Sequence, residues 1–331
     1  MAHASLPHAE ETDMRRLALI VGVTGGLASE VAKALLVHGW SVRGLTREPE
    51  SAKPRFRELA AIDWRAGDAM RAADVRRAAE GAALILHGAN PPRYRNWRGL
   101  AIPMLTNSID AAKADGARIV LPGNLYNFGP NAPQPLREDT PQQPSTRKGR
   151  VRVEMEQMLR ESRSLVVRAG DFFGPHAPGS WLSNGVVQPG RPLRSIVDPG
   201  TDGVGHAWAY LPDLAEAIAR LADIDEKLAE HEVIHFRGHW LEDGRDMMEA
   251  IRRAAGNPKL PIRRFPWWAI ALTAPVVRLS REVGEMRYLW QYPLALDNTK
   301  LVKLIGAEPH TPLDAAVTLT LQRLGCLPKH V

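Results

Sequence analysis

A glycine-rich turn between an apolar strand and a helix constrains the fold of this chain more than any other feature. Residues 17–21 form a compact apolar run, glycines follow from Gly22 to Gly26, and apolar residues then recur at helical spacing to about residue 39. Gly22, Gly25 and Ala28 stand at the spacing G-x-x-G-x-x-A. Small residues at these positions let the backbone turn tightly and present the N–H groups of a helix N-terminus to a pyrophosphate. The pattern predicts a βαβ unit that binds a dinucleotide.

The alternation of strands and helices continues to about residue 173. Further strands are predicted at 41–45, 62–65, 83–87, 118–121, 165–168 and 232–236, and helices at 72–80, 102–115, 151–160, 212–222, 246–255 and 312–324. This order predicts an α/β fold with a Rossmann-type, doubly wound parallel sheet and a smaller C-terminal substrate lobe. We assign residues 14–173 to the NAD(P)-binding domain, with 206–236 returning to it, and residues 174–205 and 237–331 to the substrate-binding lobe.

The residue after the second strand bears on the choice of cofactor. Thr46-Arg47 stands where a site selective for NAD carries Asp or Glu. An acidic side chain repels a 2′-phosphate, whereas Arg47 can pair with one. The sequence therefore favours NADP(H), with NAD(H) as the alternative if Arg47 is only a solvated side chain at a strand end.

Charge and composition exclude several classes of protein. The 331 residues carry a net charge of +6 that is spread along the chain, which suits an anionic small ligand better than nucleic acid. The longest apolar run, residues 265–277, is too short for stable membrane insertion. Cys326 has no partner cysteine, which is typical of a cytoplasmic protein. His176 and His206 are predicted in loops near the cleft, but no cluster has metal-ligand spacing, so we expect no metal.

Several motifs resemble the extended short-chain dehydrogenase/reductases, the NAD-dependent epimerase/dehydratase group. The run IVGVTGGLASEVAKALL from Ile20 is similar to the T-G-x-x-G-x-x-G opening of that family, with Val21 replacing its threonine and Ala28 its last glycine. Gly67-Asp68 and residues 86–89 (LHGA) match the ends of its third and fourth strands. Later matches are Asn107, RAGDFFGP at 168–175, AYLPDLAEA at 209–217 and LDNTK at 296–300. The cofactor-binding residues are then expected to be Gly22, Thr24, Gly25, Gly26, Leu27, Arg47, Asp68, His87, Gly88 and Ala89.

The catalytic residues of that family are not intact in this chain. The family pairs a Tyr-x-x-x-Lys motif, in which Tyr exchanges a proton with the substrate oxygen, with a Ser or Thr. Here Asn124 stands in place of the Ser or Thr, and Lys148 or Gly149 stands in place of the Tyr. We therefore expect Asn124 to bind the substrate oxygen, and consider Tyr126, Lys148 and Tyr94 as proton donors.

Three functions are compatible with this loss. The first is an NAD(P)-dependent oxidoreductase that acts on a carbonyl or alcohol of a small organic molecule with another proton donor. The second is a redox sensor that binds NADP(H) without catalysis, and the third is a nucleotide-sugar epimerase or dehydratase. Trp181, Trp267, Trp268, Tyr288, Trp290 and Tyr292 give the predicted lobe an aromatic character that suits an apolar substrate or its own core. The family resemblance also implies a homodimer.

Overall fold

The computed structural model describes residues 16–91, 96–177 and 179–328. Its strands are β1 (Leu17–Val21), β2 (Ser41–Thr46), β3 (Asp63–Ala66), β4 (Leu84–His87), β5 (Arg118–Gly123), β6 (Ser164–Arg168), β7 (Asp171–Phe173), β8 (Ile196–Asp198), β9 (His206–Tyr210), β10 (His231–His235), β11 (His239–Leu241) and β12 (Ile262–Arg264). Its helices are α1 (Gly26–Val37), α2 (Pro49–Ala52), α3 (Ala72–Ala79), α4 (Trp97–Asp115), α5 (Arg147–Met158), α6 (Leu211–Asp223), α7 (Arg245–Ala254), α8 (Trp267–Thr273), α9 (Arg278–Gly284), α10 (Thr299–Ile305) and α11 (Leu313–Arg323).

A seven-stranded sheet forms the centre of the fold. Its strand order is β10-β6-β5-β4-β1-β2-β3 and every pairing is parallel. The order reverses between β1 and β4, which is where doubly wound sheets leave a crevice at the carboxyl ends of their strands. The predicted fold class is confirmed.

Helices cover both faces of this sheet because its central strands are apolar on both sides. In β1, Ala18 and Ile20 pack toward α1 and α6, whereas Leu19 and Val21 pack toward α3 and α4. All four side chains are fully buried. Two apolar layers therefore hold the sheet, and its carboxyl edge is left to the connecting loops.

A second core lies beyond the sheet edge. It joins residues from 125–136, 173–210, 247–260 and 286–326, with Trp208 and Trp290 among its largest buried side chains. A three-stranded sheet (β11-β9-β7) and a two-stranded sheet (β12-β8) belong to this part of the chain. The division of the chain into the two predicted domains stays a prediction, since residues 125–136 also contribute to this second core.

The predicted elements all form, but several of their boundaries differ. Helix α5 begins at Arg147 and not at residue 151, because the Thr146 hydroxyl caps it by accepting the N–H of Gly149 at 3.0 Å. Helix α4 begins at Trp97 and not at residue 102, with Pro103 inside it. Among the helices of the described residues, none has both the length and the apolar character of a membrane span.

Candidate functional site

A cleft of about 900 Å³ runs along the carboxyl edge of the large sheet. Residues that follow the first six strands line it, because parallel strands direct all their carboxyl ends to the same edge. The predicted binding residues Gly22, Thr24, Gly25, Gly26, Leu27, Arg47, Asp68, Gly88 and Ala89 all line this cleft. The fold thus brings nine of the ten predicted cofactor-binding residues to one surface.

The glycine-rich turn is shaped by backbone contacts that exclude side chains. Gly22 has a φ of +78°, and a Cβ atom on it would lie 3.0 Å from the backbone N and Cα of Ala89. A Cβ on Gly26 would lie 2.3 Å from the carbonyl oxygen of His176. Helix α1 starts at Gly26 without a side-chain cap or an acidic residue in its first turn. Its N–H groups are therefore suited to a pyrophosphate.

The alanine at position 28 is accommodated by a glycine on the neighbouring strand. A Cβ atom on Gly88, just after β4, would lie 2.8 Å from the Cβ of Ala28. Close packing of helix on strand needs one small residue at this crossing, and here Gly88 supplies the missing space. The change from glycine to alanine at the third motif position therefore leaves the turn intact.

The loop after β3 lines the same cleft as the glycine-rich turn. Asp68 lines the cleft, and its Oδ1 accepts the N–H of Met70 at 3.0 Å while its own N–H donates to Asp74. Asn107 on α4 donates from Nδ2 to the carbonyl oxygen of Ala69 at 2.8 Å. Asn107 therefore anchors the loop that carries Asp68. Arg47 is exposed on the wall of the cleft after β2.

His87 differs from the other predicted cofactor residues. Its side chain is buried behind the cleft, and Nδ1 lies 2.8 Å from the hydroxyl of Ser108. Burial lowers the pKa of His87 to about 3. It is absent from the described residues that line the cleft, so its imidazole packs β4 against α4.

Asn124 and Tyr126 share a single turn of 3-10 helix at the end of β5. The Oδ1 of Asn124 accepts the N–H of Tyr126 at 2.9 Å and caps this turn, and both residues line the cleft. Tyr94, the remaining tyrosine considered from the sequence, lies outside the described residues.

Lys148, also considered as a proton donor, does not line the cleft with Asn124 and Tyr126. It is 3% exposed, and its Nζ donates to the carbonyl oxygen of Glu282 at 2.8 Å and lies 3.0 Å from Oε2 of that residue. Burial lowers the pKa of Lys148, and the Glu282 carboxylate partly offsets this. Its side chain is therefore not among the described residues that line the cleft. A Cβ on the adjacent Gly149 would lie 2.2 Å from the carbonyl oxygen of Tyr126, so a tyrosine has no room there.

Arg152 is a cleft residue that sequence reasoning missed. It lies one helical turn after Lys148, and its Nη2 donates to Oδ1 of Asn90 at 3.1 Å while Nη1 donates to the carbonyl oxygen of Pro122 at 3.3 Å. Its guanidinium also lies over the ring of Trp97. The sequence could have indicated this residue. If Lys148 stands in place of the motif tyrosine, the motif lysine falls four residues later, at Arg152.

Asp171 and His206 line the same cleft beyond Asn124. Nε2 of His206 lies 2.9 Å from Oδ2 of Asp171, and Nδ1 lies 3.1 Å from the carbonyl oxygen of Leu289. The prediction that His206 lies in a loop is wrong, because it is the first residue of β9, whereas His176 does lie in a turn. No group of three metal-ligating side chains occurs in the part of the chain that the structure describes.

The aromatic residues of the lobe divide between core and surface. Trp181 lines the cleft, Trp290 and Tyr288 are buried behind it, and Trp268 is 73% exposed. Most of the aromatic character predicted for the lobe therefore serves its core, and Trp181 alone of the six lines the described cleft wall.

A family model described as NAD(P)H-binding matches residues 22–165 of the chain. An uncharacterized protein of Sinorhizobium fredii, y4nL, is 29% identical over 240 residues, which is 64% of this chain and 65% of that protein. The match thus spans slightly less than two thirds of this relative's length.

Solved structures show the fold more completely. UDP-glucose 4-epimerase from Bifidobacterium longum, in complex with NAD+ and UDP, has a TM-score of 0.71 at 16% identity and covers 94% of this chain and 100% of its own. TunA, an NAD-dependent NDP-hexosamine 5,6-dehydratase of tunicamycin biosynthesis, has a TM-score of 0.68 at 16% identity and covers 93% of this chain and 97% of its own. Residues 22–165 therefore match an NAD(P)H-binding family model, and the chain as a whole has the fold of the extended short-chain dehydrogenase/reductases, the NAD-dependent epimerase/dehydratase group.

Proposed function

We propose that this protein is an NAD(P)-dependent oxidoreductase that acts on a carbonyl or alcohol of a small, uncharged organic molecule. One observation carries the proposal. A single continuous cleft joins the glycine-rich turn to a cluster of polar side chains, Asn124, Tyr126, Asp171 and His206, at its far end. The first region suits a dinucleotide and the second suits a reacting oxygen.

The cofactor fits the residues that are present. The backbone of Gly22, Gly25 and Gly26 would hold the pyrophosphate, because a Cβ on Gly22 or Gly26 would meet neighbouring backbone atoms. Asp68 would meet the adenosine, and Arg152 would donate hydrogen bonds to the nicotinamide ribose. When bound, the nicotinamide supplies or accepts hydride.

Arg47 supports a preference for NADP(H). It lies on the cleft wall after β2, where the 2′-position of an adenosine ribose is bound in such folds. A guanidinium forms paired hydrogen bonds with a phosphate. We therefore propose NADP(H) as the favoured cofactor.

The charges around the cleft favour an uncharged substrate over a nucleotide sugar. The basic side chains among its described lining residues are Arg47, Arg152 and His206. Arg47 and Arg152 are assigned to the cofactor, and His206 is paired with Asp171. The described lining residues thus offer no further basic side chain to pair with a second diphosphate. Apolar side chains such as Trp181, Phe172 and Leu294 line the same end.

In this proposal Asn124 binds the substrate oxygen through its amide nitrogen, since its Oδ1 already accepts the N–H of Tyr126. Tyr126 is positioned by that turn at the edge of the substrate space. Lys148 acts as a structural residue that ties α5 to α9 through Glu282.

Fluorescence titration tests the cofactor part of the proposal. Energy transfer from the nine tryptophans to bound nicotinamide reports binding of NADPH and NADH separately. We expect tight binding of NADPH and weaker binding of NADH. Binding of neither would refute the oxidoreductase, and stronger binding of NADH would refute the role of Arg47.

A substrate screen tests the reaction. We expect oxidation of NADPH with neutral carbonyl compounds such as 4-nitrobenzaldehyde, with one alcohol formed per NADPH consumed. The structural likeness to the Bifidobacterium longum enzyme favours the nucleotide-sugar alternative, so UDP-glucose with NAD+ belongs in the same screen. Formation of UDP-galactose would replace the proposal. Unequal binding of NADP+ and NADPH without any turnover would indicate the redox sensor.

A further inference from the structure

We propose that Asp171 and His206 form the proton-transfer pair of this site, in place of the absent Tyr-x-x-x-Lys motif. The inference rests on the proposed oxidoreductase function. Both residues line the cleft together with Asn124, and both begin strands of the small sheet, Asp171 in β7 and His206 in β9. Strand ends hold side chains more firmly than loops do.

The geometry places one transferable proton between the two side chains. The carbonyl oxygen of Leu289 can only accept a hydrogen bond, so Nδ1 of His206 carries a proton. Nε2 and the Oδ2 atom of Asp171 are 2.9 Å apart, which requires one further proton between them, on either atom. The pair is therefore net neutral in both arrangements, and this lowers the cost of its burial.

Aromatic packing holds the imidazole in place. The ring of His206 stacks on Trp290 with ring centroids 3.9 Å apart and an interplanar angle of 6°. The ring centroid of Trp208 lies 5.2 Å from that of His206. The pair is thus fixed from behind by Leu289 and Trp290, while the Asp171 carboxylate is the more exposed member, at 12% against 7% for His206. Asp171 is therefore placed to contact the substrate. His206 is placed to stabilise the Asp171 carboxylate and to share the proton with it.

The pair supplies what carbonyl reduction requires. The carbonyl carbon gains hydride from reduced nicotinamide, which is oxidised, and the carbonyl oxygen gains the proton of the pair to give the alcohol. Asp171 is then a carboxylate and His206 a neutral imidazole with its proton on Nδ1. A proton from solvent restores the pair, and alcohol oxidation follows the same steps in reverse.

Two variants test the pair, Asp171→Asn and His206→Gln, with His231→Gln as the control. His231 is a half-buried histidine in β10 whose Nδ1 lies 2.7 Å from the Ser164 hydroxyl, outside the cleft. We expect both pair variants to bind NADPH within about 2-fold of wild type and to reduce 4-nitrobenzaldehyde about 100-fold more slowly or worse. The control is expected to keep the wild-type rate.

The outcomes separate the two proposals. If the wild type binds NADPH but turns over no carbonyl compound, the oxidoreductase is refuted and the role of the pair with it. If the wild type is active and Asp171→Asn keeps more than about a third of its rate, the pair alone is refuted.

A readout without substrate comes from long-range ¹H–¹⁵N correlation spectra of protein labelled at histidine. We expect a protonated Nδ1 on His206 and a change in the Nε2 shift in Asp171→Asn. An unprotonated Nδ1, or ring shifts that are the same in both proteins, would overturn the proposal independently of activity.

Discussion

The crossing of α1 over the end of β4 makes a stability prediction that needs no knowledge of the substrate. Replacing Gly88 with alanine places a Cβ 2.8 Å from that of Ala28 and 3.1 Å from the carbonyl oxygen of Val21. Ordinary contacts begin at about 3.4 Å. Gly88 is not among the glycines with positive φ, so the cost comes from overpacking and not from backbone strain. Overpacking of this kind costs about 2 kcal/mol of unfolding free energy.

The second perturbation, Ala28→Gly, removes the partner of that contact. By itself it costs about 1 kcal/mol, because glycine in a helix is less favourable than alanine. If the two changes were independent, the double variant would lose about 3 kcal/mol. Because Ala28→Gly opens the space that the new methyl group needs, we expect the double variant to lose about 2 kcal/mol or less. The contact with Val21 limits the recovery.

Urea denaturation followed by tryptophan fluorescence measures the four free energies of this cycle. A coupling of about 1 kcal/mol exceeds the usual deviation from additivity at independent sites. Gly284→Ala is the control, since its Cβ would lie at an ordinary 3.6 Å from Cγ2 of Ile270. A coupling within about 0.3 kcal/mol of zero would show that Gly88 does not compensate for Ala28.

Three further predictions concern ionisable side chains. Arg47→Ala should raise the Kd for NADPH about 10-fold, as expected for loss of one exposed phosphate contact worth about 1.4 kcal/mol, and leave that for NADH within about 2-fold; equal changes in the two titrations would contradict the phosphate role. Lys148→Met should lower the unfolding free energy by about 2 kcal/mol, because it removes the buried ammonium partner of the Glu282 carboxylate and leaves that carboxylate with the Arg147 guanidinium at 3.7 Å, while the Kd for NADPH stays the same; wild-type stability in urea would contradict this. Burial and the neighbouring Arg168 lower the pKa of His235 to about 3, so from pH 6.5 downward the unfolded chain binds a proton that the folded protein does not, and stability falls. His235→Gln should reduce that slope by about 1.4 kcal/mol per pH unit between pH 6 and 4, and an unchanged slope would show that His235 is protonated in the folded protein.

The sequence by itself determined the sheet, the order of its elements and the residues at the glycine-rich end of the cleft. These depend on local patterns: apolar runs that become strands, helical spacing, and glycines where the backbone must turn closely. The turn at Gly22 and the loop at Asp68 were predictable because each follows directly from the strand before it. Parallel strands then bring those turns to one edge without further information.

Only the tertiary structure decided which side chains line the opposite end of the cleft, near Asn124. Lys148 and Arg152 lie one turn apart on the same helix, but packing against α9 turns the ammonium of Lys148 to Glu282 and leaves Arg152 on the cleft wall. Asp171 and His206 are separated by 35 residues and meet because β7 and β9 pair in parallel. Contacts of this kind depend on how distant elements pack, and no periodicity or spacing in the sequence specifies them.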